Sequence, residues 1–515
     1  MFLFTKCNKN RAKVVHFYHL RKYKSAKEKK NCFLQNKVYK MLHISKKSSI
    51  FVPKYVQTQK NMKKLSLFII ALACVCAHAQ ETRYIGGDIS ALPLYEQHNS
   101  AYKDAYGKNI SDLLTWFVND CGWNTFRVRI FVNPGKKDQD GTVNPSVCQD
   151  LAYVTALGKR IKAAGANFML DFHYSDTWVD ATHIQAPAAW KGKSDAAMAD
   201  SVAAYTRRVL TALNEANATP DMVQVGNEIM YGLCGIKVKP YDDASNNWTG
   251  YLGLLKAGCN AVREVCPEAR IIIHTDRPTN SGYNAYFYNK LINGGVDFDV
   301  IGLSYYPFWH GYLTDAQVAN KTDKNNLVKA INRLATDFPE KKVHIVECAY
   351  NFQYWSSKGV NYDTRDVWTC AADGNTSIGI SGQYNFVKDL VDALKPLENV
   401  EGISYWFPEE AGNGDDTNWN TSKGTVIVSW QNRGFWNEDK STTGHAINRT
   451  GQITEGKTAA DVCAPYYMGK FVGFEPQGIT NPSANEGVQA VKTFRNGQLV
   501  IERNGILYSS DGKRL

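Results

Sequence analysis

Residues 222–228 read Met-Val-Gln-Val-Gly-Asn-Glu, a short, largely apolar run that ends on an amide and a carboxylic acid. The run is strand-like, and a carboxyl group set directly after an apolar strand is expensive to bury. Val343-His-Ile-Val-Glu347 has the same form. Working outward from these two, β-branched apolar runs recur at Tyr84–Ile89, Thr125–Phe131, Phe168–Phe172, Met222–Val225, Arg270–His274, Val300–Leu303, Val343–Val346 and Gly402–Trp406. Helical periodicity fills the gaps. Leu151–Ala164 sets Leu151, Val154, Leu157 and Ile161 on one face, and Ala196–Asn214 and Asn385–Leu394 behave alike. Eight strand–helix units predict an α/β fold, a (β/α)8 TIM barrel whose parallel strands are buried on both sides.

Almost every run ends in polar side chains: Asp88, Arg127 and Arg129, Asp171 and His173, Asn227 and Glu228, His274 and Asp276, Tyr305 and Tyr306, Glu347 and Trp406. In such a barrel the site lies at the C-terminal ends of the strands, so these residues are expected to ring one cleft. Glu228 closes the fourth run and Glu347 the seventh, strands that the spacing places across the barrel from one another. Glycoside hydrolysis needs two carboxyl groups flanking the scissile bond, about 5 Å apart in retaining enzymes. Asn227 is placed to bond the 2-hydroxyl of the reacting sugar, and Arg127 and Tyr305 to bond Glu347 and keep it ionised. Trp178 is the best candidate for a stacking platform; Trp190, Trp355 and Trp419 are platforms or core. Asp171-x-His173-x-x-Asp176 and His274-x-Asp276 look like metal sites, but at a barrel mouth they read as sugar-contact strands.

The chain has 515 residues, 44% hydrophobic and 21% charged, which excludes a mostly disordered protein. Its net charge of +11 is concentrated at one end: residues 1–61 carry 16 Lys and Arg against the single acid Glu28, and Lys63 and Lys64 raise the count to +17, leaving −6 for the rest. Nothing in that balance points to nucleic acid. Met62-Lys-Lys, the apolar run Leu65–Cys76 and Ala77-His-Ala79 have the form of a secretory signal peptide over 62–79, too short for a membrane span. Residues 1–61 are therefore read as an over-predicted upstream segment. The catalytic domain is expected over 80–475. Gly478–Gly487 reads as a linker, and the tail to 515 alternates like a hairpin around Asn504-Gly505. That short C-terminal β tail resembles the sorting tails of proteins exported by some Gram-negative bacteria; the alternative is a strand pair packed on the barrel. A secreted, periplasmic or surface location follows. The eight cysteines after residue 80 are compatible with none to two disulfides.

Several stretches together carry a family resemblance: Gly86-Gly-Asp-Ile-Ser90, Asn124-Thr-Phe-Arg-Val-Arg129, Leu170-Asp-Phe-His-Tyr-Ser-Asp-Thr-Trp178, Gly226-Asn-Glu-Ile229, Ile272-Ile-His-Thr-Asp276, Gly302-Leu-Ser-Tyr-Tyr-Pro-Phe308 and Tyr405-Trp-Phe-Pro408. In order and content the chain resembles glycoside hydrolase family 53, the arabinogalactan endo-β-1,4-galactanases, over roughly residues 82–445. The resemblance implies a retaining endo-hydrolase of β-1,4-galactan with Glu228 as acid/base and Glu347 as nucleophile; a monomer is expected. It places Arg127, His173, Asn227, His274 and Tyr305 around the reacting sugar and Trp406 beneath it. Asp88, Asp171, Trp178 and Asp276 complete the expected substrate-binding set. No organic cofactor is implied. Some bacterial members bind calcium after strand seven, where this chain has only scattered acids, Asp363, Asp366 and Asp373; calcium has no support here. Asp415-Asp-Thr-Asn418 reads as a solvated loop. Phe407 stands where the family usually has Glu. The alternatives are a barrel mannanase or xylanase, a galactan-binding barrel without activity, and a surface protein anchored by its tail.

Overall fold

The eight apolar runs form parallel strands: β1 (Tyr84–Asp88), β2 (Thr125–Ile130), β3 (Asn167–Phe172), β4 (Met222–Val225), β5 (Arg270–Thr275), β6 (Val300–Tyr305), β7 (Lys342–Cys348) and β8 (Val400–Trp406). In this computed structural model they close into a barrel in chain order, with β8 against β1. The structure describes residues 82–97, 101–141, 143–352, 368, 378–412, 432–438, 444–476, 491–495, 498–503 and 506–509. The signal-like segment 62–79, the upstream residues, the linker, Trp355, Trp419, the three scattered acids and the 415–418 cluster lie outside them.

Helices α1 (Leu113–Cys121), α2 (Leu151–Ala163), α3 (Asp195–Glu215), α4 (Trp248–Val265), α5 (Ser281–Asn293), α6 (Leu327–Asp337) and α7 (Ile380–Leu394) return the chain between strands. Six start on a side-chain cap: Asp112, Asp150, Ser194, Asn247, Asn280 and Asn326 each accept a backbone N–H three residues on. Such caps satisfy donors that the helix itself cannot, so they mark where each loop gives way to helix. The last gap is filled by a short helix, Ala464–Met468. It is fixed between α1 and α7 by Tyr466, 5.2 Å from the Trp116 ring, and by Tyr467, whose hydroxyl donates to Asp392 at 2.8 Å.

Two apolar layers follow from the alternation of side chains along each strand. Met169, Met222, Ile272, Val300 and Val346 fill the barrel interior, and the opposite faces pack under the helices. Outside the barrel, Ala411–Gly412, Trp436–Glu438, His445–Ile447, Tyr102–Lys103 and Asn109–Ile110 form a small sheet that joins the segment after β8 to the segment after β1. The tail forms three antiparallel strands, Val491–Arg495, Gln498–Arg503 and Ile506–Ser509. The expected hairpin register holds, with Arg503 opposite Ile506, and the strand Val491–Arg495 is an addition to it. Cys121, Cys148, Cys234, Cys259, Cys266 and Cys463 are free thiols, and Cys370 lies outside the described residues.

Barrel closure brings β1 and β2 into close approach at Gly86, where a Cβ would lie 1.6 Å from the Thr125 carbonyl oxygen. The obstacle is backbone and cannot rotate away. Gly86→Ala is expected to lose about 3 kcal/mol of stability, measured as a fall in the urea unfolding midpoint; an unchanged midpoint would refute this packing.

Candidate active site

Strand alternation selects which side chains reach the mouth. In β6, Ile301, Leu303 and Tyr305 pack outward while Val300 packs inward. Ser304 shares the face of Val300, and Tyr306 is the next position on it. The expectation that Tyr305 bonds Glu347 is therefore corrected. The Tyr305 hydroxyl donates to the Gly311 carbonyl at 3.2 Å, its ring stacks on Phe386, and Tyr306 donates to Glu347 Oε2 at 2.9 Å.

Both glutamates depart from strand regularity. Val343 and Ile345 face outward and Val346 inward, so an unbroken strand would turn Glu347 toward the helices. The register slips instead: Ile345 pairs with Leu303 and Glu347 with Ser304, leaving Val346 as an extra residue. This bulge re-aims Glu347 into the mouth. Glu228 follows Gly226, at φ 90°, and itself adopts φ 46°, ψ 49°. The left-handed region costs a non-glycine residue about 1–2 kcal/mol, a strain typical of functional positions. The two strands are also not opposite one another: β7 is three places from β4 around the ring, and β8 stands across from it.

Arg127, 1% exposed, organises the floor. Its Nη1 donates to Asp88 Oδ2 at 2.8 Å; its Nη2 reaches Asp171 Oδ2 and Asn227 Oδ1 at 2.8 Å and Glu347 Oε1 at 2.9 Å. Its Nε donates to Gln224 Oε1 at 3.3 Å. Burial pushes the Glu347 carboxyl up, and Arg127 and the Tyr306 hydroxyl oppose that rise. Burial would also raise Asp171, but Arg127 and His173 outweigh it and hold Asp171 below its ordinary value.

Glu228 has different company. Its Oε1 accepts the Ser304 hydroxyl at 2.6 Å, and that hydroxyl lies 2.7 Å from His274 Nε2. The Glu228 backbone N–H and the Gln224 amide both point at His274 Nδ1, at 3.3 and 3.1 Å. Asn227 Oδ1 also lies 3.1 Å from Nδ1, but the Ser304 hydroxyl gives its proton to Glu228 and its oxygen accepts from Nε2, so in a neutral ring the proton sits on Nε2 and Nδ1 is the acceptor. Burial and the nearby Arg127 hold His274 well below its ordinary value, consistent with a neutral ring. Burial pushes Glu228 well above the carboxylate range, and the Glu347 and Asp276 charges add to it.

A cleft of about 790 Å³ opens above, lined among others by Arg127, His173, Trp178, Asn227, Glu228, Asp276, Glu347 and Trp406. Asp88, Asp171 and His274, expected to touch the sugar, are fully buried behind that wall and act through Arg127 and Glu228. Trp178 and Trp406 meet edge to face at 6.2 Å. The Arg129 guanidinium lies 4.1 Å from the Trp178 ring centre and 5.1 Å from Phe407, while Arg433 lies 4.7 Å from Trp406. Trp190 is core, packed on Tyr205. Asp176 does not join Asp171 and His173, because its Oδ2 accepts the Ala188 N–H. Among the described residues no cluster of His, Cys, Asp and Glu is arranged to hold a metal ion.

The sequence profile of glycosyl hydrolase family 53 matches residues 84–448, which span the whole barrel. This chain belongs to glycosyl hydrolase family 53. Among curated proteins, the "Probable arabinogalactan endo-beta-1,4-galactanase A" of Aspergillus terreus is 32% identical over 333 residues, covering 63% of this chain and 85% of the relative. The "Endo-beta-1,4-galactanase" of Bacillus subtilis is 29% identical over 327 residues, covering 63% of this chain and 69% of the relative. Among solved structures, the GH53 catalytic domain of Ignisphaera aggregans superposes with TM-score 0.58 at 28% identity, over 77% of this chain and 98% of that one. The chain is thus a glycoside hydrolase.

Three residues of this family 53 site escaped the sequence reading. Gln224, an amide inside an apolar run, holds Arg127, Asp171 and His274 together. Ser304 could have been found from the parity of β6. Arg433 sits on an irregular segment well beyond β8, with no local signal. The hydroxyl donors to the glutamates can be tested directly. A donor stabilises the ionised carboxyl, so its removal raises the pKa. Ser304→Ala should raise Glu228, and Tyr306→Phe should raise Glu347, each by about one unit; Tyr305→Phe should leave Glu347 in place. Carbon-13 NMR titration of labelled glutamate measures all three, and a shift in Tyr305→Phe would overturn the assignment of Tyr306.

Proposed function

We propose that this chain hydrolyses internal β-1,4-galactosyl linkages of galactan and arabinogalactan by double displacement, with retention at the anomeric carbon. The observation that carries the chemistry is the contrast between two carboxyls sharing one cleft, Glu347 buried and Glu228 half-buried. Glu347 has a guanidinium and a phenol to support its charge; Glu228 has a single hydroxyl, with Glu347, Asp276 and Asp180 as negative neighbours. Such a pair separates into an ionised nucleophile and a protonated acid. The choice of galactan is supported by the activity named for the Bacillus and Aspergillus relatives.

In the first step the Glu347 carboxylate forms a bond to the anomeric carbon as the glycosidic C–O bond breaks, and the Glu228 proton passes to the departing oxygen. In the second, Glu228 takes a proton from water, the water oxygen attacks the same carbon, and the bond to Glu347 breaks. Arg127 receives the returning carboxylate at the same 2.9 Å contact. Trp406 and Trp178 offer apolar faces to the sugar rings. The enzyme acts outside the cytoplasm as a monomer, a reading supported for its location by the signal-like segment 62–79 and the sorting-like tail of the sequence; among the described residues no helix is long and apolar enough to cross a membrane.

Residues 80–515 are expected to release short galacto-oligosaccharides from linear β-1,4-galactan, with the β-anomer first in proton NMR, and to leave mannan and xylan intact. Glu228→Gln should lower kcat on galactan by about 10²–10⁴-fold, and Glu347→Gln by at least as much. Cleavage of mannan or xylan in place of galactan would sink the substrate assignment and keep the mechanism. Since Glu228 must hold a proton, Ser304→Ala should carry the alkaline limb of the kcat/KM profile to higher pH by about one unit; a limb that stays in place would remove Glu228 from that role.

A further inference from the structure

We infer that Tyr241, Tyr283 and Tyr286 form a second galactan-binding site on the rim of the barrel, outside the cleft. The inference rests on the galactanase reading above, because its ligand is the same polymer. Tyr241 belongs to the loop between β4 and α4, and Tyr283 and Tyr286 to the first turns of α5. None of the three lines the cleft. The chain leaves the cleft wall at Asp276 and Arg277, at the end of β5, and enters α5 within a few residues. That turn is fixed: the Arg277 carbonyl accepts the Asn280 N–H at 3.1 Å and the buried Asn284 amide at 2.8 Å. Asn280 in turn accepts the Tyr283 N–H at 3.0 Å. Patch and cleft therefore share one stretch of wall at the same face of the barrel.

The rings are held in place and held open. Tyr241 is 59% exposed, although its ring meets Tyr286 at 4.7 Å and Tyr283 at 5.3 Å. Its backbone sits at φ 64°, a region that a bulky residue keeps only where its surroundings over-determine it. Asn246 clamps the loop on one side: it accepts the Lys239 N–H at 3.0 Å and donates to the Lys239 carbonyl at 2.6 Å. Asp243 ties the other side to α5, accepting the Tyr286 hydroxyl and, at 2.8 Å, the Lys290 ammonium. A Cβ at Gly282 would lie 2.8 Å from the Tyr241 hydroxyl, so bare backbone at that point lets the ring lie against the start of α5.

The chemistry of the patch selects its occupant. Beside the rings Lys290 pairs with Asp243, so their charges cancel and suit an uncharged chain. Even three whole tyrosine side chains, at about 150–250 Å² each, fall short of the about 800 Å² per partner that a stable protein interface buries. Tyrosines instead offer flat apolar faces to the C–H side of a pyranose, with hydroxyls at their edges for its polar groups. A long galactan gripped on the rim stays close to the cleft, and the second contact raises its effective concentration there.

The test fills the cleft before it reads the patch. Wild type, Tyr241→Ala and Tyr241→Phe are trapped as glycosyl-enzymes with an activated 2-fluoro galactobioside. Each is then run in native gels that hold linear β-1,4-galactan, or xylan, at rising concentration. Trapped wild type is expected to be retarded by galactan and not by xylan. Tyr241→Ala should raise the dissociation constant read from the galactan series by about three- to tenfold, and Tyr241→Phe, which keeps the ring, by less than about twofold. No retardation of trapped wild type, equal retardation of Tyr241→Ala, or equal retardation by xylan would overturn the inference while leaving the galactanase reading intact. So would a wild-type dimer in sedimentation that Tyr241→Ala abolishes, because it would give the patch to a second copy of the chain. If untrapped wild type cleaves no galactan, that reading fails and the inference falls with it. Because Tyr241 is exposed, Tyr241→Ala should keep the wild-type thermal midpoint, which separates lost binding from lost folding.

Discussion

The buried guanidinium of Arg127 is the constraint on which this site depends. Taking such a charge out of water costs several kcal/mol, recovered only if every donor finds a good acceptor. Here five acceptors come from four strands or their ends: Asp88 of β1, Asp171 of β3, Gln224 and Asn227 from β4, and Glu347 of β7. The cation thus acts as the hub that sets the mouth of the barrel and the ionisation of Glu347 together. Arg129 adds a second buried cation, bonded to Asp88 and laid against Trp178 and Phe407. Arg129 is thus held by aromatic faces as well as by an acid.

A second network, meeting the first at Gln224 and Asn227, serves Glu228. His274 is neutral within it. A protonated ring would keep its Nε2–H on Ser304 but would set a donor at Nδ1 against the Glu228 N–H and the Gln224 amide. Burial and the nearness of Arg127 keep the proton off. The same positive charge therefore supports one carboxylate directly and helps keep the imidazole behind the other neutral.

Backbone irregularity completes the site. The bulge at Val346 and the left-handed turn at Glu228 each violate the rule that built the strand beneath them. Regular strands would send Glu347 toward the helices. Strain of this kind is tolerated where many contacts hold it, and both residues are gripped by the networks just described.

The sequence alone determined the barrel, because eight runs of apolar residues and the helical periods between them are local patterns with a direct physical cause in burial. It also determined the two glutamates, since a carboxyl ending an apolar strand is conspicuous wherever the strand ends. Strand parity would have separated Tyr306 from Tyr305, had the start of β6 been known to the residue. Only the tertiary structure decided the rest. It placed Asp88, Asp171 and His274 behind the cleft wall, made Gln224 the joint between the two networks, and brought Arg433 to Trp406 from a distant irregular segment. A strand states which residues it carries; how far each reaches toward the axis, and what it meets there, depends on barrel closure, on a bulge and on neighbours distant in the chain.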